Sequence, residues 1–258
     1  LVEASLQAKD GLGLINASPV TAALGVVAVR EAGRVLLVAL AVAALCSEAY
    51  AANLTVFERR IAAARGSGEQ VAVAGLLRAF LHGSPLRGQP PRSIQDAVSI
   101  RTPAQVFGAA FAVLRLLHDA VRAEVNGASD SPLVFADSGE MLSTPNFHTP
   151  MIAVAADALA VALVQLSAAS MQRIIKLQTP HLSGLPRYLS PVGGASVGFN
   201  ALQKTAAALH AQVRLHAAPA GLDAFPVSDT VEDHAPQTPL ALHKLGESLR
   251  ALRHLVAI

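Results

Sequence analysis

Gln95, Asp96, Ser99 and Arg101 fall within seven consecutive positions and offer an amide, a carboxylate, a hydroxyl and a guanidinium. A guanidinium is the natural clamp for a carboxylate, because its planar fork donates two parallel hydrogen bonds. The stretch Ser93 to Pro103 lies between a glycine- and proline-rich loop, Gly83 to Arg92, and a long apolar run, Ala104 to Val125. A polar cluster feeding straight into an apolar helix belongs at the mouth of a cavity, since burying it without partners is costly. A second reading stays open on these residues alone: a helix cap plus a structural ion pair.

Amides recur at other loop–helix junctions, at Asn16, Asn126, Asn146 and Gln203, with Gln212 deeper inside a helix. Taken singly, each suits a cap or a satisfied buried amide. Taken with Arg101, they suit one polar cavity for a zwitterionic amino acid. Other chemistries lack their signatures. The nine histidines contain no His-Glu-x-x-His, Cys46 is the single cysteine, and no phosphate-binding glycine loop or Gly-x-Ser-x-Gly elbow occurs. His210 and His216 are six apart and face different ways.

The elements that must position these groups read as helices. The 258 residues are 52% hydrophobic and only 15% charged, with no Trp and 4% aromatics, so the apolar content is Ala, Leu and Val. Such a composition favours close-packed helices. A loop is expected over Lys9 to Pro19. Helices follow to about Glu31, from Arg34 to about Ala64, and from Gln70 to His82. Further helices are expected over Ala104 to Val125, Phe147 to Leu177, Val197 to Ala217 and Pro239 to Ile258. Leu133-Val134-Phe135 and Glu140-Met141-Leu142 flank Asp137-Ser138-Gly139 as a small hairpin. The fold class is therefore all-α, with long antiparallel helices forming one helical-bundle portion over residues 1–258. Its apolar faces exceed what one bundle needs and call for other subunits.

A net charge of +2 gives no basis for a nucleic-acid partner. Mean hydropathy is +0.44, yet the charge-free stretch Val35 to Cys46 is too short to span a bilayer, and Met151 to Ala169 carries Asp157 and Gln165. Buried helices, no membrane and a reducing cytoplasmic setting are expected. The chain opens on Leu1 and stops at Ile258 inside a helical pattern, which fits a fragment or one piece of a larger assembly.

Six segments then resemble, in order, the histidine and aromatic amino acid ammonia-lyase family. Lys9-Asp10-Gly11-Leu12-Gly13-Leu14-Ile15-Asn16 is similar to K-E-G-L-A-L-I-N, and Gln95 to Arg101 to Q-D-x-Y-S-x-R. Asn126 to Phe135 resembles N-x-x-x-D-N-P-L-V-F, and Ser143 to His148 resembles S-G-G-N-F-H. Gln203 to Leu209 resembles Q-x-T-A-A-A-L, and Glu232-Asp233-His234 resembles E-D-H.

The resemblance implies an all-α tetramer, homo- or hetero-oligomeric, with each site built from several subunits. It implies elimination of ammonia from an aromatic or related α-amino acid, or movement of the amino group, through a methylidene-imidazolone electrophile. It also implies roles for residues. Arg101 would bind the substrate carboxylate with Asn146, Asn16 would lie near substrate and prosthetic group, Gln95 would orient groups, and Phe147 would contact the ring. Gln212 stands for an amide where histidine-specific members carry Glu, a lean away from histidine.

Two departures qualify this. No Ala-Ser-Gly, the triad that cyclises to the electrophile, occurs in the chain; Gly66-Ser67-Gly68 is the nearest look-alike. The electrophile would then come from a complementary N-terminal subunit. Val98 replaces the motif's tyrosine, and an isopropyl group can neither donate nor accept a proton. Thr144-Pro145 replaces two glycines. A non-catalytic scaffold or regulatory homologue is the alternative.

Overall fold

The computed structural model describes residues 5–222 and 226–258. In order it has α1 (Asp10–Asn16), α2 (Pro19–Ala49), α3 (Arg59–Ala64), α4 (Gly68–Phe80), α5 (Val98–Arg101) and α6 (Pro103–Asn126). A hairpin of β1 (Leu133–Phe135) and β2 (Glu140–Leu142) follows, then α7 (Pro150–Leu177), α8 (Pro180–Ser183), α9 (Asn200–His216) and α10 (Thr238–Val256). The expected hairpin forms in antiparallel register, Val134 opposite Met141. Prolines open α2, α6, α7 and α10 within the first two positions, where a missing N–H costs nothing.

The bundle is built around α7, which packs against α6, α9, α10, α2, α5 and α8. Its fully buried face alternates alanines with leucines: Ala155, Ala156, Leu159, Leu163 and Leu166. Alanine lets neighbouring backbones approach, and leucine fills the space between turns. At two crossings the helices approach closely at a glycine. A Cβ on Gly25 of α2 would come within 2.7 Å of Val121 of α6, and one on Gly108 of α6 within 3.2 Å of the Gln70 backbone of α4.

Three sequence expectations are corrected. Lys9 to Pro19 is not all loop, because Asp10 opens a seven-residue helix. Its carboxylate accepts the Gln7 N–H at 2.8 Å and complements the helix dipole. No break occurs between Glu31 and Arg34, since Ala32 and Leu36 on either side of Gly33 are fully buried and packing carries the helix through. The run from Arg34 does not reach Ala64 as one helix. It ends at Ala49, Ala51 takes a left-handed conformation, and the Asn53 side chain captures the Thr55 N–H to start a separate 3-10 turn.

Polar side chains inside apolar helices act as struts. Asp157 of α7 accepts the backbone N–H groups of Ala220 (3.0 and 3.1 Å) and Gly221 (3.0 Å), pinning the loop after α9. Thr149 and Thr238 bond to each other at 2.9 Å, which sets the starts of α7 and α10 side by side. Helices α6 and α7 are each long and apolar enough to cross a membrane. Here they pack against each other and against α2, α9 and α10.

The accessible surface is 14624 Å2, whereas a closed globule of this mass shows about 10,700 Å2. Apolar side chains are part of that surface: Val20, Leu24, Val27, Val38 and Leu45 on α2 and Val154 and Val161 on α7 are exposed.

Asp157→Ala removes a charged acceptor from two N–H groups, an expected loss of about 2 kcal/mol. Thermal melting followed by circular dichroism should show Tm lowered by roughly 4–8 °C. An unchanged Tm would mean that the strut contributes nothing.

Candidate functional site

Two groups of the sequence-predicted residues are brought together, at opposite ends of α6. At the leading end, Gln95, Val98 and Arg101 line one cavity of about 480 Å3 together with Tyr50, Lys176 and His181. Asp96 is buried, but its carboxylate accepts the Asn53 N–H at 2.7 Å. Asp96 therefore fixes the turn after α2, as neither a helix cap nor an ion-pair partner. Arg101 is half-buried and has no carboxylate partner among the described residues. Neither the helix cap nor the ion pair of the alternative reading forms among the described residues: α5 has no side-chain cap, and Arg101 is left free to face the cavity.

The cavity does contain a phenol, Tyr50. Burial and the nearby Asp96 carboxylate push its pKa up, only partly opposed by Arg92. It stays protonated. Arg92 stacks over the Tyr50 ring at 5.0 Å and donates to the carbonyls of Tyr50 (2.9 Å) and Leu182 (2.5 Å), closing the 83–92 loop over this end of the bundle.

At the trailing end, Asn146 donates to the Ala128 carbonyl at 3.1 Å and lines a depression of about 470 Å3 with Glu124, Ser129 and His148. Thr144, one of the departures from the two-glycine pattern, is put to structural use: its hydroxyl donates to the Asp130 carbonyl at 2.9 Å. Helix α1, with Asn16 exposed at its end, is tied to the same region. Lys9 forms an ion pair with Asp130, and the Ser18 hydroxyl donates to Glu124. The bond from Lys9 holds the Asp130 carboxyl below the usual carboxylate range.

Phe147 is exposed beside Asn146. The next residue makes a contact that sequence spacing does not reveal. His148 and His234 share a hydrogen bond at 2.7 Å between Nε2 and Nδ1, so one ring donates and the other accepts. This bond draws the Glu232-Asp233-His234 segment against Asn146 and Phe147, two stretches 86 positions apart. Both are quoted motifs, and only that shared character could have hinted at their meeting. Gln212 belongs to neither end. It is exposed on α9, two positions past His210, whose ring meets Ser167 at 2.8 Å against the middle of α7.

Helix α6 separates the two groups. It has 24 residues, and at 1.5 Å per residue it spans about 36 Å. An amino acid is several times shorter, so Arg101 and Asn146 of one chain cannot grip the same molecule. The cavity lined by Arg101 does not include Asn146, and the depression lined by Asn146 does not include Arg101.

The model of the family described as aromatic amino acid lyase matches residues 1–258. The chain belongs to that family. It is 38% identical over 258 residues to the histidine ammonia-lyase of Rhodospirillum rubrum, covering 98% of this chain and 50% of the relative. It is 41% identical to that of Geobacillus kaustophilus, covering 98% and 51%. The chain thus spans about half the length of the curated relatives it matches. Among solved structures, ergothionase from Treponema denticola superposes with a TM-score of 0.94 at 28% identity, over 98% of this chain and 51% of that one. Histidine ammonia-lyase from Trypanosoma cruzi gives 0.88 at 33%, over 98% and 48%. The all-α expectation holds, and the shared fold is the helical one of ammonia-lyases and aminomutases.

A carboxyl whose pKa is lowered stabilises above its unfolded value, and that stabilisation is lost as pH falls through the folded one. The Lys9–Asp130 tie should therefore hold α1 in place at neutral pH and release it below about pH 4. Limited proteolysis across this range should show cleavage within residues 5–16 rising only at the acid end. Asp130→Asn should show the raised cleavage already at pH 7.

Proposed function

We propose that this chain forms the substrate-holding helical part of an amino acid ammonia-lyase. In this reaction the Cα–N bond breaks, a proton leaves the β-carbon, and ammonia and an α,β-unsaturated acid are released. The observation that carries the reading is a guanidinium without a carboxylate partner among the described residues, facing a cavity, in a member of this family.

The site is completed between chains. Because the Arg101 group and the Asn146 group lie about 36 Å apart along α6, the leading end of one protomer must meet the trailing end of another. The exposed apolar faces of α2 and α7 supply a surface for that contact, in a homo- or hetero-tetramer. Arg101 clamps the substrate carboxylate, with Asn146 of another protomer as second donor. Gln95 orients groups beside Arg101, Asn16 lies near the reacting atoms, and Phe147 packs on the side-chain ring. Gln212 sits farther off and contributes to the outer wall.

The curated relatives named as histidine ammonia-lyases support an imidazole-bearing α-amino acid. They outweigh the opposite lean from Gln212, which sits mid-bundle. A soluble, cytoplasmic setting is part of the proposal.

The family's electrophile is a methylidene-imidazolone made from Ala-Ser-Gly. Residues 1–258 do not fit its formation. The triad does not occur, and Ser67 of the look-alike Gly66-Ser67-Gly68 is committed as the cap of α4, accepting the Gln70 N–H at 3.3 Å. We therefore assign the electrophile to polypeptide outside residues 1–258, such as a complementary N-terminal subunit. The groups described here bind and orient; Val98 contributes no proton transfer.

The replacement of the motif's tyrosine by Val98 favours one further reading, a non-catalytic homologue that keeps the pocket. Mixing the chain with an Ala-Ser-Gly-bearing partner and L-histidine should yield the unsaturated acid, read by ultraviolet absorbance. Arg101→Ala should cut kcat/KM by about 10²-fold or more, as loss of a charge-assisted clamp does. Calorimetric binding of L-histidine without turnover in any complex would select the non-catalytic reading. Binding unaffected by Arg101→Ala would remove the pocket assignment altogether.

A further inference from the structure

Helix α5 is a single turn, and its bonding has a gap. The Arg101 N–H goes to the Ala97 carbonyl, and both the N–H and the hydroxyl of Thr102 go to the Val98 carbonyl. The Ser99 carbonyl would next take the N–H of residue 103, but that residue is Pro103 and has none. A helix that breaks on a proline thus leaves one acceptor to be satisfied from elsewhere.

The donor comes from α7. Arg173 is only 3% exposed and has no carboxylate partner among the described residues. Its Nη1 donates to the Ser99 carbonyl at 3.3 Å and its Nη2 to the Ser170 hydroxyl at 2.7 Å. The Cys46 thiol of α2 lies against the same guanidinium, and burial pulls the Arg173 pKa down from the usual arginine range. A buried cation without a counter-charge lowers stability, so its retention calls for a specific use. A complement to the α7 dipole would need only a cation in the last turn, and Lys176 already stands there. Arg173 instead reaches across to another helix.

We infer that Arg173 is a positioning residue for Arg101: it supplies the donor that Pro103 withholds and so fixes the turn that aims Arg101 into the cavity. This rests on the reading of Arg101 as the carboxylate clamp. The fork matters as much as the charge, because one guanidinium serves Ser99 of α5 and Ser170 of α7 together. The fully buried Ile100 packs in a small apolar cluster with Tyr50 and Ala52, so α5 is held by apolar packing as well as by the Arg173 bond.

The test uses the full chain in its assembled form and has two readouts. In Arg173→Met, hydrogen exchange of the peptide Ala97 to Thr102 should speed up about 10-fold or more, while α6 and α7 keep their protection. Adding Pro103→Ala restores a backbone donor and should recover most of that protection, which a general packing role for Arg173 would not allow. Arg173→Lys keeps the charge and loses the fork. It should fall between the two and serves as the variant if Arg173→Met does not fold.

Calorimetry gives the second readout. Affinity for L-histidine should fall about 10-fold or more in Arg173→Met, as a displaced clamp implies. Affinity for histamine, which lacks the carboxylate, should stay the same. Unchanged exchange in the single variants, or no recovery in Arg173→Met/Pro103→Ala, overturns the inference. A wild-type protein that binds no L-histidine overturns the proposed substrate instead, and the exchange experiment still decides the role of Arg173.

Discussion

The close packing of α7 against its neighbours is the constraint on which everything else depends. A 28-residue helix faced with Ala155, Ala156, Leu159, Leu163 and Leu166 buries a continuous core and leaves little slack along its length. Three of the polar ties between elements start on it or at its first turn. Asp157 pins the loop after α9, Thr149 aligns α10, and Arg173 reaches the α5 turn. A shift of α7 by one residue would move all three. Close-packed interiors transmit such shifts because they hold few voids to absorb them.

That rigidity has a consequence for chemistry. A bundle of long straight helices keeps its two ends far apart, and the polar loops gather at those ends. The groups suited to binding an amino acid are therefore divided, with Gln95 and Arg101 at one end and Asn16, Asn146 and Phe147 at the other. Neither set makes an enclosed site by itself. Apolar faces left open on α2 and α7 and the large accessible surface belong to the same arrangement.

The departures from the family pattern fall into two kinds. Thr144 is absorbed into the fold, since its hydroxyl bonds to the Asp130 carbonyl and steadies the segment before Asn146. Val98 is not compensated in this way. It is 60% exposed in the cavity, and the phenol available there, Tyr50, is held protonated by burial and Asp96.

Much was legible in the sequence because much of it is local. Alanine and leucine at helical spacing specify helices, prolines mark where they start, and Asp137-Ser138-Gly139 between two apolar triplets specifies a hairpin. The motifs around Asn16, Arg101 and Asn146 were readable as runs of residue types. The errors were local too: Gly33 looked like a break because propensity cannot weigh the buried Ala32 and Leu36 beside it.

Tertiary structure alone decided what meets what. It set Asp96 on the Asn53 amide rather than on Arg101, joined His148 to His234, and brought Arg173 to the carbonyl that Pro103 leaves open. Partners in these contacts lie between 43 and 86 positions apart. Spacing along a chain carries no information about such meetings, because they follow from how whole helices pack. The opening cluster from Gln95 to Arg101 could be read as a carboxylate-binding stretch from its residue types. The length of α6 then set that stretch at the opposite end of the bundle from Asn146.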